Sequence, residues 1–263
     1  MASQTHVTLD LADLVATVTM ARGDVHNAFN EHLITQLHTT ISSLAKDSGV
    51  RVVVLAGEGK SFSAGADLDW MRRAASFSEE ENRRDAASAA ALWRAVADCP
   101  KPIIARVHGN AFGGGAGLVA ASDIAIAGES AMLGFTEVRL GLLPATVAPH
   151  VVEKIGAGRA LPLFLMGERF DAHRALAIGL VHQVVPDSQL DVAVGAAIDQ
   201  LLSGGPGALS ACKQLVRRVA ADRSSRVDEY TAALIASARA GDEGREGVNA
   251  FLEKRKANWV TEA

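Results

Sequence analysis

Apolar residues fall along the chain in short runs that predict strands, with amphipathic stretches between them. Residues 7–11 and 14–20 are rich in β-forming residues and are broken at Ala12-Asp13, which predicts a hairpin. Residues 51–56, 102–107 and 123–127 are continuous apolar runs, typical of strands buried on both faces. Since predicted helices separate these runs, the sequence predicts a parallel sheet.

The predicted helices begin with Asn30, which is placed to cap the first one. The apolar residues that follow at helical spacing are Leu33, Ile34, Leu37, Ile41 and Leu44. We expect Gly49 to end this helix, and a second helix over 79–97 to stop before Pro100. After Thr146 the chain is predicted to be mainly helical, punctuated by Gly156, Gly179 and Gly205. The pattern therefore predicts an α/β core and a helical C-terminal region.

Composition narrows the class of protein. The chain has 263 residues, 49% of them hydrophobic, with a net charge of -4, which excludes disorder over most of its length. The acidic balance argues against nucleic-acid binding, and no apolar run is long enough to predict a membrane span. The start MASQTHVTLD lacks the features of a signal peptide, and Cys99 and Cys212 suggest neither a disulfide framework nor a zinc site. We expect a cytoplasmic protein without a metal.

Two glycine-bearing loops, residues 62–67 and 109–117, follow predicted buried strands. Glycine lets the backbone approach a ligand closely, and a helix that starts in such a loop has free N–H groups. Two loops that each donate one N–H to the same oxygen would form an oxyanion hole. The alternative is that these glycines only permit tight packing or turns.

Glu137 lies in a strongly apolar segment, residues 133–144. Burial disfavours the charged form of a carboxyl group and so raises its pKa, which suits a residue that transfers protons near neutral pH. The alternative is a glutamate that pairs with Arg139 or is exposed on a turn.

At these residues the chain resembles the enoyl-CoA hydratase/isomerase (crotonase) superfamily. The segments that match are residues 26–30, 62–67, 101–105, 109–117, 122–127, 136–144 and 251–255. The resemblance implies a spiral of ββα units in residues 1–200 and a helical trimerisation region in residues 201–263. It also implies an acyl-CoA substrate, no cofactor beyond the coenzyme A of that substrate, and a homotrimer or a homohexamer built as a dimer of trimers.

The resemblance further implies an oxyanion hole made by the N–H groups of Ala66 and Gly114, with Glu137 as a catalytic residue. The positions that it places near the substrate are Ala64, Asp67, Leu68, Trp70, Met71, Gly113, Gly117, Phe251 and Lys254. Core packing is an equal alternative for Trp70 and Met71, and a solvated helix face is the alternative for Phe251 and Lys254. Arg22 and Lys101 are further candidates for contacts with the phosphates of CoA.

Gly117 departs from the family pattern, because hydratases of this family have a second glutamate at that position. One carboxylate suffices to shift a double bond, which favours a Δ3-Δ2-enoyl-CoA isomerase. The chain is also similar to bacterial methylglutaconyl-CoA hydratases of leucine breakdown, which have glycine there too, so a hydratase remains our main prediction. A glutaconyl-type substrate would need a cation, for which the candidates are Arg72, Arg73 and Arg139. A non-catalytic acyl-CoA-binding protein is the alternative outside enzymes.

Overall fold

Strands and helices alternate up to residue 185, and only helices follow in the described part of the chain. The computed structural model describes residues 5–221, 224 and 226–260. The strands are β1 (Val7–Ala12), β2 (Val15–Met20), β3 (Val52–Gly57), β4 (Ile103–Val107), β5 (Asn110–Phe112), β6 (Ile124–Gly128), β7 (Met132–Gly134), β8 (Arg169–Asp171) and β9 (Gln183–Val185). Single 3-10 turns cover Gly23–Val25, Glu137–Leu140 and Asp187–Gln189.

Helices account for most of the remaining described residues. They are α1 (Glu31–Leu44), α2 (Leu68–Ala74), α3 (Glu79–Asp98), α4 (Gly114–Ala121), α5 (Ala148–Ile155), α6 (Ala157–Met166), α7 (Ala172–Ile178), α8 (Leu190–Ser203), α9 (Pro206–Ala221), α10 (Arg226–Ala240) and α11 (Asp242–Leu252). The predicted helix over 79–97 is therefore confirmed as α3. None of the described helices is both long and apolar enough to cross a membrane.

A six-stranded sheet in the order β1-β2-β3-β4-β6-β9 forms the centre of the fold. Strands β1 and β2 pair antiparallel, and Asp13 and Leu14 between them take φ values of 47° and 69°. Every other pair in this sheet is parallel. The predicted hairpin and the predicted parallel sheet are both confirmed.

A second sheet has the order β5-β7-β8, and each of its strands has three residues. The sequence did not predict it, because three residues are too few to show a strand period. The expectation of a mainly helical chain after Thr146 also overlooked β8 and β9. This small sheet matters because β5 and β7 lead directly into the candidate site.

Helix α1 begins as predicted and ends earlier than predicted. Oδ1 of Asn30 accepts a hydrogen bond from the N–H of Leu33 at 2.9 Å, and the predicted apolar face of the helix is buried. The helix ends at Leu44, so the expectation that Gly49 ends it is wrong. A separate turn follows, in which Oδ1 of Asp47 accepts from the N–H of Gly49 at 2.8 Å.

Helix α4 runs through the interior of the molecule. All of its residues from 115 to 121 are buried, and it contacts α3 and α5. Its small side chains let neighbouring elements approach closely, so its position is fixed from several sides. The first turn of α4 therefore lies at the boundary between the core and the candidate site.

The predicted boundary between residues 200 and 201 falls inside α8, which ends at Ser203. That division into a spiral core and a helical oligomerisation region stays a prediction. The expectation about a signal peptide rests partly on residues 1–4, which lie outside the described residues.

Candidate active site

Buried polar contacts hold the first glycine-bearing loop in place. Asn27 is fully buried, and its side-chain amide donates to the carbonyl oxygens of Glu58 and Ser61, both at 2.8 Å. Ser63 donates through Oγ to the carbonyl oxygen of Asn27 at 2.9 Å. Buried hydrogen bonds that satisfy all their partners make such a loop rigid.

Ala66 in this loop keeps its N–H group free. Phe29 pairs with both neighbours of Ala66: its N–H donates to the Gly65 carbonyl oxygen at 2.7 Å, and its own carbonyl oxygen accepts from the N–H of Asp67 at 2.9 Å. No group among the described residues accepts a hydrogen bond from the N–H of Ala66. Ala66 is exposed, which makes this N–H a candidate donor to a ligand.

The second glycine-bearing loop leads into α4. Gly113 has φ 49° and ψ −115°, which side-chain-bearing residues rarely adopt, and its N–H donates to the carbonyl oxygen of Gly134 at 2.9 Å. Helix α4 starts at Gly114, so the N–H of Gly114 has no acceptor within the helix. It donates to no other group in the part of the chain that the structure describes.

The two loops touch at Gly65 and Gly113. A Cβ atom added to Gly65 would lie 3.1 Å from the carbonyl oxygen of Phe112 and 3.9 Å from the nitrogen of Gly113. Ala66 and Gly114, which have the free N–H groups, are the residues that directly follow Gly65 and Gly113 along the chain. The predicted oxyanion hole needs two donors that serve one oxygen, and this placement brings the two free N–H groups to adjoining loops. Binding of a substrate oxygen there stays a prediction.

The carboxylate of Glu137 lies beside the second loop. Glu137 begins the 3-10 turn Glu137–Leu140, and a Cβ added to Gly113 would lie 3.1 Å from Oε1 of Glu137. Oε2 is buried and has no hydrogen-bond partner among the described residues. Burial raises the pKa of Glu137; its own backbone N–H opposes this rise, and no other charged side chain contributes. A raised pKa favours a carboxyl group that both accepts and releases a proton during a reaction.

No second carboxylate could extend from position 117 in this packing. A Cβ added to Gly117 would overlap Cγ1 of Val147 and Nε1 of Trp93. Both of those side chains are buried, so they have little freedom to move aside. The space in which a side chain at 117 would begin is therefore occupied by an aliphatic side chain and an indole.

The predicted substrate contacts on α2 lie next to the first loop. Both carboxylate oxygens of Asp67 are engaged within the chain: Oδ1 accepts from the N–H groups of Asp69 and Trp70, and Oδ2 pairs with Arg22 at 2.9 Å. Trp70 packs partly against the core, and its Nε1 donates to Oδ1 of Asp85 at 3.2 Å. These contacts give Asp67 and Trp70 structural roles, while their contact with substrate stays a prediction.

Three further positions beside the first loop are open to solvent to different degrees. Ala64 is exposed, Leu68 is 70% exposed and Met71 is half-buried. Several other large apolar side chains of this chain are exposed to a similar degree, so the exposure of Leu68 does not by itself assign it a role. The contact of these three residues with substrate stays a prediction.

Most of the basic candidates already have partners. Arg72 pairs with Asp69 at 2.5 Å and Arg73 pairs with Glu31 at 2.8 Å. Lys101 donates through Nζ to backbone carbonyl oxygens at 2.7 and 2.8 Å. Arg139 is exposed, and the described residues provide its guanidinium with neither an ion pair nor a hydrogen bond, while its backbone N–H donates to the carbonyl oxygen of Thr136 at 3.0 Å. The alternative in which Glu137 pairs with Arg139 is therefore excluded.

The predicted C-terminal contacts lie on the surface of the single chain. Phe251, near the end of α11, is 81% exposed. Lys254 is exposed and takes a φ of 54° just beyond the helix. A contact of these residues with coenzyme A, in a neighbouring subunit, stays a prediction.

Sequence reasoning gave no role to two aromatic residues that contact the site. The rings of Phe29 and Trp93 lie 5.6 Å apart, and both lie against Gly114. Phe29 falls in the matching segment 26–30, which was the available signal for it. Trp93 sits on the apolar face of α3, where the pattern indicates only core packing. Among the described residues, no group of His, Cys, Asp and Glu could hold a metal ion.

Several known proteins that are similar to this chain share one family description. Residues 11–262 match the family model described as enoyl-CoA hydratase/isomerase. A solved structure from Legionella pneumophila, provisionally assigned as an enoyl-CoA hydratase/isomerase (crotonase), aligns with a TM-score of 0.93 at 45% identity and covers 98% of this chain and 100% of that chain.

Two curated relatives have named substrates. The short-chain-enoyl-CoA hydratase of Clostridium acetobutylicum is 32% identical to this chain, with 95% of this chain and 96% of the relative covered. The 2,3-dehydroadipyl-CoA hydratase of Escherichia coli is also 32% identical, with 93% of this chain and 94% of the relative covered.

Proposed function

The chain belongs to the enoyl-CoA hydratase/isomerase family as a hydratase-type lyase, and we propose that it hydrates an α,β-unsaturated acyl-CoA with Glu137 as its one proton-transferring carboxylate. The observation that carries this proposal is the position of Glu137. Its Oε1 lies beside Gly113, the residue that precedes the free N–H of Gly114 along the chain. The proposed base is therefore placed beside the residue that leads into the proposed oxyanion donor.

The N–H groups of Ala66 and Gly114 are the proposed donors to the thioester oxygen. When the oxygen of water attacks C3, the electrons of the C2=C3 bond move towards the carbonyl, and the thioester becomes an enolate. The negative charge then develops on the oxygen between the two donors. Each donor of this type is worth about 3 kcal/mol in the transition state.

Glu137 is the proposed carrier of the proton. The ionised carboxylate takes a proton from the water molecule as the C3–O bond forms, and it then delivers a proton to C2 of the enolate. The carboxylate returns to its starting state, so atoms and charges balance over the cycle. The raised pKa of Glu137 supports both steps, because it brings the acid and base forms closer in energy.

The proposed acyl group ends in a second carboxylate, as in 3-methylglutaconyl-CoA. A relative named for 2,3-dehydroadipyl-CoA supports an acyl chain of this chemical type. Of the three candidate cations, Arg139 is the one whose guanidinium has no partner among the described residues. The attacking water would be held by another polar group or by the substrate's own carboxylate, since position 117 offers no side chain.

A Δ3-Δ2-enoyl-CoA isomerase is the second candidate. The occupied space at Gly117 favours it, because moving a double bond needs only one group that removes a proton and returns it at another carbon. The same oxyanion hole would stabilise the dienolate formed on that route. Fold alone does not choose between the two reactions.

A substrate panel tests these alternatives. The protein is incubated separately with crotonyl-CoA, 3-methylglutaconyl-CoA and a 3-enoyl-CoA, and products are followed by mass and by absorbance. Gain of one water by an α,β-unsaturated thioester is expected. A shift of the double bond with no change in mass would make the protein an isomerase. Binding of all three thioesters without turnover would indicate an acyl-CoA-binding protein and would overturn the proposal.

The proposed assembly is a homotrimer, alone or paired into a hexamer. Several large apolar side chains are exposed on the single chain, among them Leu140, Leu143 and Phe251 at 62%, 77% and 81%. Such surfaces usually mark an interface. Light scattering coupled to size exclusion measures the mass directly, and a monomer at micromolar concentration would contradict this assignment.

A further inference from the structure

Trp93 is tied directly to the first turn of α4. It lies on α3, it is 3% exposed, and its Nε1 donates a hydrogen bond to the carbonyl oxygen of Gly114 at 3.1 Å. The hydrogen bond joins α3 to α4, and its two residues are 21 positions apart along the chain. The bond therefore fixes the orientation of the turn that carries the free N–H of Gly114.

Phe29 and Trp93 together contact both loops of the candidate oxyanion hole. A Cβ added to Gly114 would lie 3.0 Å from Cζ2 of Trp93 and 3.1 Å from Cδ2 of Phe29, so the backbone of Gly114 rests on both rings. The backbone of Phe29 also holds the residues on either side of Ala66. The pair thus sets the position of Gly114 relative to Ala66.

The start of α4 needs such support because of its own sequence. Gly113, Gly114 and Gly115 come in succession, and Gly117 follows in the next turn. Each glycine in a helix costs about 1 kcal/mol relative to alanine, since its backbone loses more freedom on ordering. The local sequence therefore stabilises the helical conformation of this turn only weakly, and the geometry of the turn depends on contacts from outside the helix.

We propose that Trp93 is a positioning residue of the oxyanion hole: its indole N–H holds the first turn of α4 so that the N–H of Gly114 points at the thioester oxygen. The inference rests on the proposed function, since it concerns the same site. Trp93 acts through Gly114 and does not itself contact the reacting atoms.

Trp93→Phe is the variant that tests this role. It keeps an aromatic ring against Phe29 and Gly117 but removes the N–H donor. We expect kcat to fall about tenfold with KM nearly unchanged, because loss of a direct oxyanion donor costs roughly a hundredfold or more and this loss is indirect. A merely structural role would lower the melting temperature without this separation of kcat from KM.

Trp259→Phe is the matched control. The Nε1 of Trp259 also donates to a backbone carbonyl oxygen, that of Ser203, at the same distance of 3.1 Å. The two variants therefore lose the same kind of hydrogen bond. Trp259→Phe should leave kcat and KM as in the unmodified protein.

A spectroscopic probe separates this proposal from the proposed function. The probe is para-dimethylaminocinnamoyl-CoA, whose absorbance moves to longer wavelength when its thioester carbonyl is polarised. The unmodified protein and Trp259→Phe should show the full shift on binding, and Trp93→Phe a smaller one. An equal shift and an equal kcat in Trp93→Phe would overturn the role of Trp93. Absence of any shift in the unmodified protein would instead overturn the oxyanion hole itself.

If Trp93→Phe does not fold, site-specific replacement of Trp93 by benzothienylalanine provides the second variant. This analogue has the shape of tryptophan with sulfur in place of the N–H group. Reduced kcat and a reduced spectral shift are expected again, and full retention of both would contradict the proposal.

Discussion

Oε1 of Glu137 lies so close to the backbone of Gly113 that a Cβ atom on residue 113 would be only 3.1 Å from it. Gly113 also has a φ of 49°, which favours glycine. Gly113, which precedes the proposed oxyanion donor Gly114, is therefore constrained twice, by its own conformation and by the carboxylate beside it. This relationship leads to the first prediction.

Gly113→Ala should lower both stability and activity. The positive φ alone costs about 1 kcal/mol or more for a residue with a Cβ, and the methyl group would displace the Glu137 carboxylate. We expect kcat to fall at least about tenfold, since a small misplacement of a catalytic group is costly. Gly179→Ala is the control: its φ is 83°, but nothing lies within 4 Å of an added Cβ. Equal kinetic losses in the two variants would show that the contact with Glu137 is unimportant.

Glu137→Gln should abolish turnover while it preserves binding. The amide has nearly the shape of the carboxyl group but cannot carry the proton, and general acid–base catalysis is typically worth about a hundredfold to ten-thousandfold. Calorimetry with a non-reactive acyl-CoA should give a Kd close to that of the unmodified protein. Glu129→Gln, at an exposed position, is the control. A Glu137→Gln variant with normal kcat would remove Glu137 from the mechanism.

The activity should depend on pH through Glu137. Burial raises its pKa above the ordinary value of 4.5, and catalysis needs the ionised form. A plot of kcat/KM against pH should therefore fall on the acid side with a midpoint above 4.5. A midpoint at or below that value would contradict the burial of the carboxylate.

The same shift has a consequence for stability with a definite sign. Between the unfolded and the raised folded pKa, the native state binds more protons, so the contribution of Glu137 to stability falls as pH rises through this window. Glu137→Gln should therefore be at least as stable as the unmodified protein at pH 7, and this advantage should shrink in acid. Urea unfolding at two pH values measures it.

Gly117→Ala should destabilise the protein, although alanine is normally the better helix residue. An added methyl group would overlap the side chains of Val147 and Trp93, and overpacking a core costs about 1–3 kcal/mol. Gly195→Ala, inside α8 with nothing within 4 Å of an added Cβ, should instead stabilise by about 1 kcal/mol. Thermal unfolding of both variants checks the opposite signs. A stabilised Gly117→Ala would mean that the space is open.

Lys154 should titrate far below an ordinary lysine. Its Nζ donates to the carbonyl oxygen of Ser122, at the end of α4 and beside a cavity of about 420 Å³. Burial lowers its pKa from 10.5 to about 8. Between these values only the unfolded chain holds the proton, so the contribution of Lys154 to stability rises with pH from about 8 towards 10.5.

Nuclear magnetic resonance of lysine labelled at Cε tests this titration. One resonance should move with a midpoint near pH 8 and should be missing from Lys154→Arg. If every lysine resonance titrated near 10.5, the side chain would be solvated rather than buried.

Local signals predicted the parts of the fold that local contacts determine. Asn30 caps α1 and the apolar residues that follow it are buried, because both features depend on neighbours within a few turns. The predicted end of α1 was wrong because Asp47 makes a separate turn with Gly49. The residues between Leu44 and Gly49 are compatible with a helix, so the sequence does not reveal this turn. The strands β5, β7 and β8 were missed because each is too short to show a period.

The candidate site was predictable where glycine patterns marked it. The two loops followed buried strands, and Gly65, Gly109 and Gly113 in them take positive φ values of 94°, 55° and 49°, which glycine adopts readily. The role of Trp93 could not be predicted, because its contact with Gly114 depends on how α3 packs on α4. Nor does the sequence show that Val147 fills the space at Gly117, since that contact forms only in the folded chain.

The occupied space beside Gly117 bears on the handedness of the product. If Glu137 alone takes the proton from water and returns one to carbon, both new bonds form on the face of the acyl chain that Glu137 occupies. Hydration in heavy water would then place deuterium and hydroxyl on the same side and give a single diastereomer. The position of Glu137, with Gly117 offering no second carboxylate, would in this way decide the stereochemistry of the reaction.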